Sequence, residues 1–583
     1  MPSFFKNKEL YQKLVFYLGS SWVLLEATGY FLERYSLPDY YFELLIILLF
    51  FGLISLIINE IRKNQKEKPH SPRFFPILHA LNIFVALFAA FYYYTDARQN
   101  EIRHQNKGED QTSIAILPFA NTSPEGNYEW LSDGLCDQII DHLNYIDAID
   151  VKSRSASFYF KGKDLNPVQI ANLLGVNTML EGSVMVIDST LRISVKLFNP
   201  LTGSQLWNET FDRIYKDILD IQSEIALAVA EKVNANVTRD ERERITSKST
   251  DNLAAREAYL KGKYHYNLLT PLDNNRAKIY FEEAIGHDPG MAEAYAYLGM
   301  TYNMFGGYWL GLPPDSAYAV VNELANKSLE LDPELALGHF LKANYIHFYQ
   351  RDFASGLLRA QKAFQLAENK EDIIWLYSIM LAINKMPDKA LQILLPYRDS
   401  NPTSPQVYNA ICGCKLIQDG KNFNVPKEEI LTICDKTLEL DPTLVYSKYY
   451  MAELQFERKE YEAARQHYQE LVNLYPAPHF VEGLFRTTYY SGDRERANTY
   501  FNQLKALSAQ VSIPYIMTRA YATLGDTDQA IGMLEDAYEI KDIEVVNIWL
   551  DGALDPIRDD PRFQEILSRL EYAGDNPVIK SQF

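Results

Sequence analysis

The chain has 583 residues, of which 47% are hydrophobic and 23% are charged, and its formal net charge is −19 at pH 7. This hydrophobic content supports packed cores and excludes a wholly disordered protein, and the length allows three or four domains of roughly 100–200 residues each. The acidity argues against nucleic acid as a partner, because phosphate backbones are bound by basic surfaces.

Three apolar runs open the chain and predict a membrane domain over residues 1–95. They are Leu14–Leu32, Leu44–Ile58 and Phe74–Tyr94. A spanning helix needs about 20 predominantly apolar residues, and the aromatic residues at the run ends suit the interfaces of a bilayer. The first run resembles a signal peptide, but it is long, contains Glu26 and lacks a small-residue cleavage site, so it is interpreted as retained.

Basic residues predict the orientation of these spans. Lys6, Lys8 and Lys13 precede the first run and five Lys or Arg residues follow the second, whereas Arg34 stands alone in the loop between them. Because cytoplasmic loops carry the excess of Lys and Arg, the N-terminus is predicted to be cytoplasmic. Three spans then place everything after Tyr94 on the other side of the membrane.

Three polar residues fall inside the predicted spans: Glu26 in the first, and His79 and Asn82 in the third. One interpretation is a sensing or proton-linked site, since an ionised carboxylate in a bilayer is costly. The other interpretation, which we favour, is a protonated glutamate that holds the helices together by hydrogen bonds.

Strand and helix patterns alternate over residues 112–235, after a linker at 96–111. A buried strand at Ser113–Phe119 precedes an amphipathic helix at Trp130–Leu143, and Asn166–Gly175 has the cap, proline and terminal glycine of a helix. Two strands around residues 188–190 predict a hairpin, a third strand begins at Gln205, and a helix at 217–233 closes a small α/β or α+β domain.

The segments IAILPFANTS, LSDGLCDQII, SFYFKGKDLNPVQIANLLGVNTMLEGSV, LRISVKLFNPLTGSQLWNETFDR and DILDIQSEIA occur in this order. Together they resemble the TolB N-terminal-like domain, and WVLLEATGYFLERYSLPDYY resembles the membrane lead-in of that family. Domains of that family often follow transmembrane helices and precede tetratricopeptide repeats, and the architecture resembles that of bacterial proteins. Relatives with this architecture often carry a winged-helix DNA-binding domain, as in CadC-type regulators, or a cyclase domain. Only about thirteen residues precede the first run here, which is too few for either module.

No set of residues in the domain at 112–235 has the pattern of a catalytic centre. The candidate residues for a binding or catalytic site are Asp133, Asp137, Lys161, Lys163, Glu181 and Arg192. They lack a nucleophile–base arrangement and a phosphate-binding glycine loop, and they are equally typical of surface turns and hairpin faces. We therefore predict that the protein is not an enzyme and that it has no metal site and no cofactor.

A period of about 34 residues runs through residues 255–544, after a linker at 236–254, and predicts about eight tetratricopeptide repeats. The clearest unit is 445–478, with small residues at Ala452 and Ala464 and a terminating Pro476. Asp-Pro or Asn-Pro pairs at 288, 332, 401 and 441 end other units. Residues 545–583 are predicted to form a C-terminal cap and tail.

Two of the four cysteines, Cys412 and Cys434, occupy inward positions of one repeat. They could therefore touch, and in an oxidising compartment they could form a disulfide bond. The sequence leaves open whether they do.

A stack of helix pairs curves into a superhelix with a concave groove, lined by the first helix of each pair. Aromatic residues on such a groove suit peptide capture, because they bury a large area at small entropic cost. The predicted partner-binding residues are Trp375, Ile379, Tyr446, Tyr449, Glu453, Phe456, Phe480 and Tyr490. The alternative for each is that it packs against the next repeat.

The predicted fold is thus multidomain: an α-helical transmembrane segment, a small TolB-like α/β domain and an all-α tetratricopeptide superhelix. The predicted function is a scaffold in the bacterial inner membrane that binds a protein or peptide partner on the periplasmic side. The alternative is a sensory subunit that passes a ligand signal across the membrane to a cytoplasmic regulator in trans. The sequence names neither the partner nor the oligomeric state.

Overall fold

A computed structural model describes residues 112–580, with gaps at 126–127, 189, 215–217, 248–249, 305–311, 368 and 420–426, and also describes Phe583 and scattered positions between residues 13 and 82. The chain divides into two compact units, Met1–Gln111 and Thr112–Phe583. The second unit contains the elements described below.

The predicted fold class is wrong. The described chain is mostly helical, with a tetratricopeptide superhelix and a small mixed sheet region. Among the described residues, no helix is long and apolar enough to cross a membrane. This finding also contradicts the predicted localisation as a multi-pass inner-membrane protein. The prediction rested on the apolar composition of the three runs, whereas a span requires about 20 residues in one apolar helix.

Most of the predicted spans lie outside the described residues, including Glu26 and His79. Asn82 is described, and its amide nitrogen donates to the carbonyl of Phe51 at 2.9 Å and to the hydroxyl of Ser55 at 2.7 Å. This pattern is that of a side chain holding two helical segments together.

The sheet region contains six strands, with β1 (Thr112–Ile116) and β4 (Thr178–Ile187) at its centre. The order along the sheet is β3-β1-β4-β5-β6, and β2 pairs with β4. The remaining strands are β2 (Ala120–Asn121), β3 (Ile149–Val151), β5 (Thr190–Phe198) and β6 (Gln205–Ile214). β1 is parallel to β3 and β4, whereas β4, β5 and β6 form an antiparallel meander in which Ile187 pairs with Thr190. The predicted hairpin is therefore present.

Helices cover both faces of the sheet near β1 and β4. On one face, α1 (Glu129–Leu143) and α4 (Ile218–Lys232) pack on apolar side chains of β1, β4, β5 and β6. On the other face lie α2 (Arg154–Phe158) and α3 (Pro167–Leu174). The predicted cap of α3 is confirmed, because Asn166 and Gln169 form a capping box and Gly175 adopts a left-handed φ of 66°.

Eight helix pairs follow α5 (Arg239–Thr246) in the described part of the chain. The first four pairs are α6 (Leu253–Tyr266) with α7 (Pro271–His287), α8 (Ala292–Asn303) with α9 (Pro314–Leu331), α10 (Ala336–Asn344) with α11 (Phe353–Leu366), and α12 (Glu371–Ile383) with α13 (Pro387–Ser400). The last four are α14 (Pro405–Asp419) with α15 (Lys427–Leu440), α16 (Val445–Glu457) with α17 (Tyr461–Leu474), α18 (Pro478–Tyr490) with α19 (Arg494–Ser508), and α20 (Pro514–Leu524) with α21 (Thr527–Glu539).

The sequence explains where these helices end and how closely they pair. Asp288, Asp332 and Asn401 are the C-caps of α7, α9 and α13, each directly before a proline that cannot continue the helix. Ala452 and Ala464 are fully buried between α16 and α17, where small side chains let the two helices approach. First helices of successive pairs pack against one another, which places them on the concave side of the array.

Cys412 on α14 and Cys434 on α15 form a disulfide bond, with their Cα atoms 5.6 Å apart. The bond joins the two helices of one pair, at the inward positions that the repeat pattern assigns to these cysteines. Cys136 and Cys414 are free and buried.

The C-terminal segment, residues 543–580, folds back onto the middle of the array. It contains short 3₁₀ turns at Ile543–Asn547, Gly552–Ile557 and Ala573–Asp575, and the helices α22 (Pro561–Ser568) and α23 (Pro577–Lys580). The Trp549 indole donates to the carbonyl of Ile383, and the amides of Ala573 and Gly574 donate to the side chain and carbonyl of Asn384, all at 3.1 Å. The end of the array is thereby fastened to the turn between α12 and α13.

Candidate partner-binding surface

The C-terminal half of the concave side is built on two columns of residues spaced 33 apart. Tyr449, Glu482 and Tyr515 form one column, and Glu453, Arg486 and Arg519 form the other. Because this spacing matches the repeat, each column occupies one position of the first helix in three successive pairs, α16, α18 and α20. Tyr449 and Glu453 were predicted from the sequence and the other four were not, although their spacing is visible in it.

Glu453 is the centre of a buried ionic network, defined here as Glu453, Glu482, Arg486, Arg519 and Asp551. Oε1 of Glu453 lies 2.6 Å from Nη2 of Arg486 and 3.0 Å from Nη2 of Arg519. Nε of Arg486 lies 3.2 Å from Oε1 of Glu482, and Nε of Arg519 lies 3.4 Å from both Glu482 and Asp551. The network therefore connects three helix pairs with the C-terminal segment.

Burial and ion pairing act in opposite directions on the pKa values of Glu453 and Glu482. Burial alone would raise the pKa of Glu453, but the neighbouring Arg486 and Arg519 hold it at about 2, and the Tyr468 hydroxyl donates to the same carboxylate at 2.5 Å. Burial raises the pKa of Glu482, which is 0% exposed. Removal of either arginine would leave Glu453 and Glu482 to share the one that remains.

The C-terminal segment itself contacts this half of the groove. Asp551 accepts a hydrogen bond from the Tyr515 hydroxyl at 2.8 Å, and Glu544 lies 3.2 Å from His479. Burial would raise the pKa of Glu544, but His479 lowers it. The concave side is thus partly occupied by the chain's own cap and is not an open groove.

The eight predicted partner-binding residues fall into three environments. Tyr449 and Glu453 belong to the packed interior of the network, since Arg519 donates to the Tyr449 hydroxyl at 3.2 Å. Phe480 is only 5% exposed and lies 6.2 Å from the Tyr449 ring. These positions stabilise the array, and whether they also contact a partner remains a prediction.

Trp375, Ile379 and Tyr446 form a second, half-buried group farther along the concave side. The rings of Trp375 and Tyr446 are 6.2 Å apart, and Ile379 packs on the same apolar core. This group connects α12 with α16, two helix pairs away along the chain. That this group contacts a partner also stays a prediction.

Phe456 and Tyr490 form the third environment, together with Tyr461, which the sequence analysis did not select. We call these three residues the aromatic patch. Phe456 lies 5.5 Å from Tyr490 and 5.6 Å from Tyr461, ring centre to ring centre, and Tyr490 is 42% exposed. The guanidinium of Arg486 lies 4.1 Å from the Phe456 ring, so the buried network supports the patch from beneath.

The first half of the array contacts the sheet region through polar groups. Glu371 at the start of α12 accepts hydrogen bonds from the hydroxyls of Ser153 at 3.1 Å and Ser155 at 2.7 Å. Arg256 of α6 donates to Gln138 of α1 at 2.6 Å and to Gln222 of α4 at 2.7 Å. The sheet region is therefore seated on the repeats, and it covers part of their surface.

The polar residues singled out in the sheet region are mostly paired. Lys161 binds Asp133 at 2.6 Å, and Arg154 binds Asp137 at 2.5 Å. The pairs Lys196–Glu181 and Arg192–Asp212 lie on the outer face of the hairpin. Within the described residues, no group of three His, Cys, Asp or Glu could hold a metal ion.

The family model of the tetratricopeptide repeat matches residues 446–477. The chain carries tetratricopeptide repeats. These repeats suggest a protein–protein interaction scaffold, and the matched segment includes two of the three residues of the aromatic patch, Phe456 and Tyr461. The match does not extend to the sheet region, so the resemblance of residues 112–235 to TolB remains unsupported.

A curated protein of Rhizobium meliloti (strain 1021), named "Putative adenylate cyclase 3", is 29% identical over 240 residues. The similar region covers 41% of this chain and 41% of that protein, so the chain spans well under half the length of its relative. This identity and coverage do not define a family for the whole chain.

Solved structures that match this chain include the human IFIT1 dimer with m7Gppp-AAAA, at 14% identity and a TM-score of 0.40, covering 61% of this chain and 81% of that one. The Rap protein complexed with competence and sporulation factor is 15% identical with a TM-score of 0.38, covering 56% and 98%. PilF of Pseudomonas aeruginosa is 22% identical with a TM-score of 0.28, covering 38% and 93%. At these TM-scores, none of the three bears on the function of this chain.

Proposed function

We propose that the protein is a scaffold that captures a protein or peptide partner on its tetratricopeptide repeats, with the aromatic patch as the principal contact. The observation that carries this proposal is the patch itself, in which Tyr490 is 42% exposed beside Phe456 and Tyr461. Aromatic side chains dominate the energetics of protein interfaces because they bury a large area with few rotatable bonds.

The buried ionic network supports this role by keeping the patch in one conformation. Arg486 touches the Phe456 ring and pairs with Glu453 and Glu482 on two different helices. A surface that is ordered before binding loses less entropy when the partner arrives. The net charge of −19 further favours a protein or peptide partner over nucleic acid.

The proposal is tested with the full-length chain and peptides selected on it from a random displayed library. Their affinities are measured by titration calorimetry for the wild-type protein and for Tyr490→Ala. Truncation of a hot-spot residue costs about 2 kcal/mol or more, and about 1.4 kcal/mol is tenfold, so we expect the affinity to fall by about tenfold or more.

Leu474→Ala is the matched control, because Leu474 is 59% exposed on α17 but lies outside the patch. It should leave the affinities unchanged. Equal affinities of wild type and Tyr490→Ala, with both proteins folded by circular dichroism, would remove the patch as the binding site. Failure to select any peptide would count against peptide capture itself.

We infer that the cyclase name of the relative does not describe this chain. A nucleotide cyclase needs paired carboxylates that hold metal ions. The similarity to the relative covers only 41% of that protein, so its name does not carry over to this chain. The full-length protein incubated with ATP and Mg²⁺ should form no cyclic AMP above a no-protein blank. Product formation that depends on protein concentration would overturn this inference.

A further inference from the structure

The two edges of the sheet differ sharply. β3 is three residues long, and the backbone just after it is covered by the repeats, since the amide of Ser153 donates to Asn401 at 2.7 Å. β6 is ten residues long and pairs along one side with β5. Apart from a side-chain bond from Arg213 to the Asp212 carbonyl, no described residue outside β5 bonds to the backbone of β6.

A long open edge is unusual, because unpaired backbone groups invite pairing with another strand. Natural edge strands are usually short, interrupted by proline or protected by charged residues, especially lysine. β6 contains no proline or lysine, and its charged residues Glu209, Asp212 and Arg213 bond to Trp207, Arg192 and Glu224 of the same chain. Its outward residues Leu206 and Ile214 are 43% and 56% exposed. An apolar pair at the two ends of an open strand suits a specific contact.

We propose that β6 pairs with β6 of a second copy of this chain, in antiparallel orientation about a two-fold axis at Thr210. The pairing would join the two sheets into one continuous sheet. A two-fold axis makes the contact self-complementary, which is the commonest symmetry of protein dimers.

The side chains of β6 fit this register. On the exposed face, each Leu206 lies opposite Ile214 of the second copy, each Asn208 lies opposite Asp212, and the two Thr210 residues face each other. On the opposite face, each Trp207 lies opposite Arg213, an arrangement that permits a cation–π contact. No two like charges are directly opposite, which matters because such pairs destabilise sheets.

Neighbouring registers fit less well. With the axis at Glu209, the two Glu209 carboxylates would face each other. With the axis at Phe211, Glu209 would face Arg213, but both copies of Leu206 would extend beyond the paired segment. The register at Thr210 is the one that buries both exposed aliphatic residues and opposes no like charges.

A cysteine scan of the full-length chain tests the register. In Thr210→Cys, the new thiols face each other across the axis, at the Cβ separation of about 4.5–5.5 Å that directly opposed residues have. Mild oxidation should therefore give a covalent dimer. In Asn208→Cys, the two thiols would be about 14 Å apart along the strands, so no cross-link should form. The native free cysteines, Cys136 and Cys414, are buried.

Light scattering at tens of micromolar protein tests the dimer itself. The wild-type mass should be that of two chains, and Thr210→Lys, which places two ammonium groups on the axis at an exposed position, should reduce it to one. Val168→Lys, at a 44% exposed position on α3, should stay dimeric. A monomeric wild type, a dimer that survives Thr210→Lys, or equal cross-linking at 208 and 210 would each overturn the proposal.

Discussion

The two halves of the repeat array hold their neighbours by different means. In the first half, the sheet region is seated on α6 and α12 by hydrogen bonds, such as those of Glu371 with Ser153 and Ser155. Ion pairs of Asp141 with Lys263 at 3.4 Å and with Lys370 at 3.5 Å join the same elements. In the second half, three helix pairs and the C-terminal segment share one buried ionic network around Glu453.

This difference has energetic consequences. A single hydrogen bond contributes about 0.5–1.5 kcal/mol. The side chains of Lys370 and Asp141 are 36% and 25% exposed, so water replaces part of what is lost when their ion pair breaks. A buried charge that loses its partner has no such replacement. The second half should therefore respond far more strongly to single substitutions, and the first half should open locally while the rest of the array stays folded.

The largest effect is expected for Arg486→Met. Arg486 is 2% exposed and pairs with both Glu453 and Glu482, so its loss leaves two buried carboxylates to share Arg519. Breaking a buried pair in this way costs about 3–5 kcal/mol. Urea unfolding followed by circular dichroism measures the loss.

Lys436→Met provides the control for this comparison. Lys436 pairs with Glu439 at 3.0 Å on the surface of α15, and surface pairs contribute about 0–1 kcal/mol. If Arg486→Met were no more destabilising than Lys436→Met, the network would not hold the second half together.

The pH dependence of stability sharpens the same contrast. The folded pKa of Glu453 is about 2, below its ordinary value of 4.5, so its contribution is complete above pH 4.5 and is lost as the pH falls towards 2. The contribution at neutral pH is about 3 kcal/mol. Thermal unfolding of wild type and Glu453→Gln between pH 2.5 and 6 should converge at the acid end. Parallel curves over this range would show that Glu453 is not ionised with a lowered pKa.

The disulfide lies at the boundary between the halves, in the pair α14–α15. It joins residues 22 apart, and closing a loop of this size stabilises a protein by about 3 kcal/mol. Cys412→Ala combined with Cys434→Ala should lower the urea midpoint of unfolding accordingly. Cys414→Ala, at a free cysteine, should lose only the packing of one thiol, and a reductant should destabilise the wild type but not the double variant.

Local signals in the sequence predicted much of the array. The repeat period, the Asp-Pro and Asn-Pro breaks and the small residues at Ala452 and Ala464 indicated where helices end and pair, and the same frame placed Cys412 against Cys434. The capping residues of α3 were also predicted correctly from the sequence. Each of these features depends on residues close together in the chain.

Contacts between distant residues were not predictable in this way. The Asn384 side chain accepts a hydrogen bond from the amide of Ala573, 189 positions away, and no local pattern in either segment predicts this contact. The sequence did not reveal that Arg486 and Arg519 contact Glu453, or that Arg519 contacts Tyr449. Whether Tyr449 and Glu453 also contact a partner stays a prediction. The membrane prediction rested on apolar composition, and no helix among the described residues is long and apolar enough to cross a membrane.

The smallest effect is expected where the sheet region meets the repeats, in Glu371→Ala. Oε1 of Glu371 accepts hydrogen bonds from Ser153, Ser155 and Ser404, so the substitution leaves three hydroxyls without this acceptor. Because Ser153, Ser155 and Ser404 are all buried, the cost should be about 1–3 kcal/mol. Amide hydrogen exchange should quicken in α2 and leave α18 unchanged, as expected for a local opening.

Glu371→Gln separates acceptor geometry from charge, since the glutamine retains an oxygen at the same position. It should restore most of the protection in α2, which would show that the hydroxyls require an acceptor and not a negative charge. Faster exchange in α18 as well would mean that the two halves open together. In that case the seat of the sheet region and the ionic network would form one cooperative unit, and the proposed difference between the halves would not hold.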